Sequence, residues 1–194
     1  MESLAAIPGV ESVAATSSWP QAKIPPVKRS IMIEGQTPPK EIGEANKATT
    51  VVITPKFFET CKIALLHGRD FRWSDTNDST PVVILDEREE GYWFGRDRVN
   101  PIGYRIKMLE GTGATKWREI VGIVKHVAYE KAGQQAERGP IYLPVSQEPQ
   151  PFMWMALRTK SNPGGYEQPA RGAVLGVNKD ASIKDVKTLA EILP

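Results

Sequence analysis

Few side chains in this sequence could make or break bonds, and their spacing keeps them apart. The two histidines, His67 and His126, are separated by most of the middle of the chain, and neither has a second ligand-type residue at helical or turn spacing. Both therefore read as ordinary surface or core histidines rather than a metal ligand or catalytic base. The single cysteine, Cys61, follows Thr60 in an apolar stretch and reads as a small buried hydrophobe. Alone, it excludes an internal disulfide and a cysteine-built zinc cage.

The glycine-bearing GTGATK at 111–116 superficially suggests a phosphate loop. It lacks the Gly-Lys-Ser/Thr ending and sits between two strand-like runs, so it reads as a hairpin turn. Asp86, Glu87, Glu89 and Glu90 crowd a short helical stretch around Arg88, the pattern of a solvated face rather than a catalytic pair. Asn77-Asp78-Ser79 fits a glycosylation sequon, a triplet common by chance. In His67-Gly68-Arg69-Asp70-Phe71-Arg72-Trp73-Ser74-Asp75 the carboxylates can accept backbone N–H bonds while Arg69 bridges to one of them. That makes a self-satisfied structural loop. No catalytic, cofactor-binding or metal-ligating residue is assigned.

The elements around these residues are short and punctuated. The opening reads as the last turns of a helix (Leu4, Ala5, Ile7), a Pro8-Gly9 break and a strand over 10–16. Further strands are expected at 29–34, where Ile31 and Ile33 alternate with Ser30 and Met32, and at 48–54, ending at Pro55. A helical turn presenting Phe57 and Phe58 to the core leads to a bend at Gly68 and a surface loop at 73–80. A fully apolar strand at 82–85 precedes a helix whose Tyr92, Trp93 and Phe94 supply apolar contact area. Strands at 104–109 and 117–127 form a hairpin, and 152–157, the longest apolar run, begins a buried strand extending to 159. Tyr166, Ala170, Ala173, Val174 and Val177 recur at helical spacing, with Pro169 in the first turn, and a last strand is expected at 181–186. TLAEILP then starts a helix.

The whole is α+β. Both ends read as helices cut short; the pieces 1–54 and 151–194 form one subdomain, and 55–150 is a β-rich insert between them. Sixteen glycines and sixteen prolines exceed the usual share of about 12% and favour short strands over long helices. With 25 Lys and Arg interspersed among 23 Asp and Glu, there is no concentrated basic footprint for nucleic acid. No run approaches the roughly 20 apolar residues that cross a bilayer, and the N-terminus lacks the pattern of a signal peptide.

The order of motifs resembles the periplasmic core domain of MacB-like, FtsX-related ABC permeases, in particular the acidobacterial duplicated-permease group. The matching pieces are LAAIPGVESVAATS, VVITPKFFETCKIALLHGRDF followed by Asp75, TPVVILDE, the Tyr92-Trp93-Phe94 cluster and NPIGYRIKM. They continue with WREIVGIVKHV, PIYLPVSQ, MALRTKSNP and SIKDVKTLAEIL. The resemblance implies an extracytoplasmic domain of an inner-membrane protein, N-terminally truncated here and flanked in the parent by transmembrane helices. Its α/β subdomain would be porter-like. It would be non-catalytic, without cofactor or metal, relaying ATP-driven movement toward export or displacement of a partner. The implied partners are a cytoplasmic ATP-binding subunit or domain and a periplasmic adaptor protein, in a dimeric or pseudo-dimeric parent. The competing reading is an extracytoplasmic ligand-binding or sensor domain with Trp19, Trp73, Trp93, Trp117 and Trp154 around a pocket; a free-standing hydrolase lacks a nucleophile-base set.

Overall fold

A computed structural model describes residues 1–20, 26–95, 100–110, 116–129 and 138–192. Its central feature is a ring of strands. β2 (Val27–Ile33), β6 (Arg105–Met108), β7 (Trp117–Val124), β5 (Val82–Asp86), β8 (Pro140–Pro144) and β3 (Asn46–Ile53) follow one another through the sheet, and β3 pairs back onto β2. Ile31 of β2 stands opposite Asn46 of β3 on one side and Met108 of β6 on the other, so β2 closes the ring. The β5–β7 and β3–β8 pairs are parallel and the other ring pairs antiparallel. Closure removes sheet edges, the usual liability of a β-rich domain.

The side chains follow the strand period of two. Ile31 and Ile33, Ala48 and Val52, Val83 and Leu85, Ile106 and Met108, Ile120 and Ile123, Ile141 and Leu143 form one cluster, with every ring strand contributing, so it is the interior of the barrel. Trp93 joins it from α3 (Glu87–Phe94). Val51, Ile53, Ile84, Val121 and Tyr142 face outward into a second cluster with Phe57 and Phe58 of α2 (Phe57–Cys61), the period of two being broken in β7 by a register shift that puts Ile120 and Ile123 on the same side. Strands β5 and β8 are therefore buried on both faces, which explains their unbroken apolar runs.

The second layer comes from the chain ends. β1 (Val10–Thr16) meets the ring through the pairing of Thr16 with Ile53 and carries β9 (Trp154–Thr159) antiparallel on its other side. A helical turn at Pro163–Tyr166 runs into α4 (Glu167–Val177), with Pro169 near its start, and α4 packs against α1 (Glu2–Ala5). α5 (Leu189–Ile192) ends the described chain. No helix among the described residues is long and apolar enough to cross a membrane. β2 and β3, grouped with the chain ends in the expected division, are hydrogen-bonded into the ring with strands from 55–150.

Several expectations need correction. Residues 181–186 make no strand and join no ladder, although 181–188 and β9 border one cavity. Leu65–Gly68 forms an added strand, β4, paired with the second half of β7 beyond the stretch that β6 reaches, with Gly68 at φ 75 and the Val121 carbonyl where a Cβ would lie. β8 carried two prolines and was missed; as the first and last residues of the strand they interrupt no interior ladder bond. Strand β7 stops at Val124, short of 127. The 152–157 run is not a buried strand, since Ala156 alone is buried there and Phe152 and Met155 are exposed. Of the aromatic trio only Trp93 is buried; Tyr92 stands in solvent beneath the Arg138 guanidinium. Ser30 is buried rather than outward, because the Glu110 carboxylate accepts from both its N–H and its hydroxyl. The turn at 111–115 lies outside the described residues, although the β6–β7 hairpin it joins is present.

Candidate functional site

The buried charges fall at strand ends. At one end of the barrel core, Glu148 accepts from Arg29 at 2.9 Å and from Arg118 at 3.1 Å; Glu148 and Arg118 are buried and Arg29 is partly so. Arg29 also approaches the Met108 sulfur at 3.1 Å. Next to them Gln147 accepts from the Val82 N–H and donates to the carbonyls of Thr76 and Thr80, tying the 73–80 loop to the ring. Burial depresses the Arg118 pKa from its usual value, with the Glu148 charge opposing. Two guanidiniums sharing one carboxylate satisfy a polar barrel end that apolar side chains leave open.

At the β5–α3 junction Asp86 and Glu89 are fully buried, not on the solvated face expected. Asp86 caps α3 by accepting from the Arg88 N–H, and it also takes the Val127 N–H and His126 Nδ1 at 2.9 Å. Burial pushes its carboxyl above the usual range against these bonds. Burial likewise raises Glu89, opposed by the bidentate Arg138 guanidinium at 2.9 and 2.6 Å. The cap had a local signal, an Asp immediately before a helix; Glu89 had none, for its partner lies 49 residues away.

The remaining reactive groups lie apart from one another. The His126 ring bonds to Asp86, with no hydroxyl or thiol partner among its hydrogen bonds, and His67 stands across from Ile123 on exposed β4. The Cys61 thiol is pushed up to about 12 by burial, Arg158 opposing, so it is no thiolate nucleophile at neutral pH. Arg69 and Asp75 form the expected bridge with two bonds of 2.9 Å, and Asp75 and Asp70 accept from the backbone of Arg72 and Phe71. Asn77 and Asp78 are exposed, Ser79 half-buried. No cluster of three metal-ligating side chains occurs among the described residues.

One cavity is large. It occupies about 420 Å³ between β9, α4 and residues 181–188, with Leu4 of α1 and Glu191 of α5 also in its wall. Trp154, Met155, Leu157, Val174, Ile183 and Val186 line it, and so do charged groups, of which Glu167 and Arg171 are half-buried and paired while Lys184, Asp185, Lys187 and Glu191 are exposed. Of the five tryptophans only Trp19 and Trp154 reach it; Trp93 packs on the barrel core, Lys107 covers Trp117, and Trp73 is exposed. The molecule thus offers an apolar slot but no set of converging reactive groups among its described residues.

No family model matches the chain, and no curated relative matches it. Solved structures do. The periplasmic region of MacB from Actinobacillus actinomycetemcomitans superposes with a TM-score of 0.60 at 14% identity, covering 91% of this chain and 71% of that one. The extracellular domain of the noncanonical ABC-type transporter YknZ from Gram-positive bacteria gives 0.59 at 16% identity, covering 93% and 82%. From ring to appended layer, this chain has the fold of a MacB-like extracytoplasmic permease domain.

Proposed function

We propose that this chain is the extracytoplasmic domain of an ABC-type permease and works without catalysis, relaying ATP-driven movement of flanking transmembrane helices to the far side of the membrane. The observation that carries this reading is the end-to-end structural likeness to domains of MacB and YknZ. A second observation supports it. α1 and α5, at opposite ends of the chain, border the same cavity, so the two points at which a tether would attach lie on one side of the domain. A packed barrel pulled from one side moves as a body, because close-packed interiors transmit displacement rather than absorb it. In this reading the chain ends form the membrane-proximal, porter-like part, and the barrel reaches away from the membrane toward a periplasmic adaptor. A cytoplasmic ATP-binding subunit or domain supplies the work, in a dimeric or pseudo-dimeric parent.

The second reading, an extracytoplasmic ligand-binding or sensor domain, rests on the cavity, whose size falls within the range of roughly 300–1,000 Å³ used by small ligands. Labels on exposed Asn77 decide between them. In the parent permease, a cysteine placed there is expected to react with a membrane-impermeant maleimide from the extracytoplasmic side. A spin label there is expected to change its distance to a label on the cytoplasmic face between nucleotide-free and nucleotide-bound states. Labelling only after lysis sinks both readings; a distance unmoved by nucleotide sinks the relay alone.

A further inference from the structure

Hydrogen bonds tie the appended layer to the ring in two places. The first is where β1 meets β3. Ser17 N–H donates to the Val52 carbonyl and Thr54 N–H to the Ala15 carbonyl, while the Thr54 and Ser17 hydroxyls accept from the N–H groups of Ala15 and Val52. These bonds join 15–17 to 52–54, so by themselves they make a short joint about which one layer can rock on the other. The second place is a single side chain. Arg158 of β9 donates from Nε and Nη2 to the Thr60 carbonyl of α2 at 2.8 and 2.6 Å.

α2 is in turn anchored on the ring, for the Phe57 and Phe58 rings lie 6.4 and 4.9 Å from that of Tyr142 on β8. Thr60 is buried, and the last carbonyls of a helix find no donor within it, so Arg158 satisfies the end of α2 from the other layer. Arg158 stands opposite Ser12 of β1, whereas the joint to β3 is at Thr16. At about 3.3 Å per strand residue, the two attachments are on the order of 13 Å apart along β1. A fixed point that far from the joint opposes rocking. The apolar packing between the layers, in which Ala14, Trp19 and Ala156 meet Phe57 and Phe58, is non-directional, whereas charge-assisted guanidinium bonds fix a direction.

We infer that Arg158 is the positioning residue that locks the appended layer to the barrel through α2, so that displacement of the layer is passed on rather than lost in rocking between the two. The use of the lock rests on the relay reading; its existence does not.

Spin labels on Glu11→Cys in β1 and Asn77→Cys in the ring-tied loop, both exposed positions, test this in a Cys61→Ala background. In the chain itself the distance distribution is expected to be narrow, and Arg158→Met to broaden it about twofold by leaving a hinge-like attachment, with Arg158→Lys in between. A contact that served stability alone would lower the midpoint of denaturation without widening the distribution of folded molecules. An unchanged width in Arg158→Met overturns the proposal; should that variant not fold, an unchanged width in Arg158→Lys does so. In the parent permease, the nucleotide-driven distance change at Asn77 should fall about twofold in Arg158→Met. A native permease whose distance stays fixed sinks the relay and leaves the widths to decide the lock, whereas a variant that moves as far as the native permease overturns the proposal.

Discussion

At the residue scale, this protein places its ionisable groups where strands end. Glu148 is the hub of the barrel-end cluster, and its two partners are not equivalent to it. Removing Glu148 leaves Arg118 buried without its counter-charge and Arg29 without its ion-pair partner, whereas replacing Arg118 by methionine leaves Glu148 still paired with Arg29 and releases a guanidinium whose Nε has no hydrogen-bond partner. Breaking a buried pair from one side costs about 3–5 kcal/mol, while an apolar replacement of similar volume is often neutral. Chemical denaturation is therefore expected to show Glu148→Ala losing about 3 kcal/mol or more and Arg118→Met less than about 1.5 kcal/mol; equal losses would mean that the charges are not coupled. Almost none of this was legible in the sequence. The Arg69–Asp75 bridge was, because its partners are six residues apart in one loop, but Arg29, Arg118 and Glu148 are brought together only by ring closure.

Elements were read with uneven success, and the reason is the kind of signal each carries. β1, β3, β5, α3 and α4 announce themselves through β-branched runs, an Asp cap or 3.6-residue spacing, and all are present. The strand expected at 181–186 is absent, because a strand exists only when a neighbour accepts its hydrogen bonds, and that neighbour is not encoded locally. β8 was hidden by its prolines for the opposite reason: the ring supplies partners on both sides of Ile141 and Tyr142. Its entry depends on Gly139. A Cβ on that residue would lie 2.0 Å from the Asp86 side chain, so the start of β8 can rest on the α3 cap only without one. Gly139→Ala is expected to cost about 1–3 kcal/mol through overpacking. Because it displaces Asp86 from its bonds, it should also shift the His126 ring resonances in NMR spectra. A variant with wild-type stability and an unmoved imidazole would show that the contact is not tight.

At the scale of the whole molecule, the α+β class and the fold follow from ordered fragments along the full chain, while the closed ring does not, since closure depends on β2 and β3 meeting partners more than 70 residues away. The two layers are also held by different amounts of buried surface. Every ring strand adds apolar side chains to a sealed interior, each worth about 1.5–3 kcal/mol when fully buried, whereas α4 has no fully buried residue and β9 has one free edge. Free energy of opening follows this buried contact, so the layers should not open together. Native-state hydrogen exchange is expected to separate them: amides of β3, β5, β7 and β8 should exchange only through global unfolding, and those of α4 through local opening at much lower denaturant. Under the relay proposed above, that ordering would let motion enter through the softer layer while the barrel keeps its shape. If α4 and the ring exchange as one cooperative unit, the domain moves without internal give, and the tethered layer cannot be where displacement is taken up.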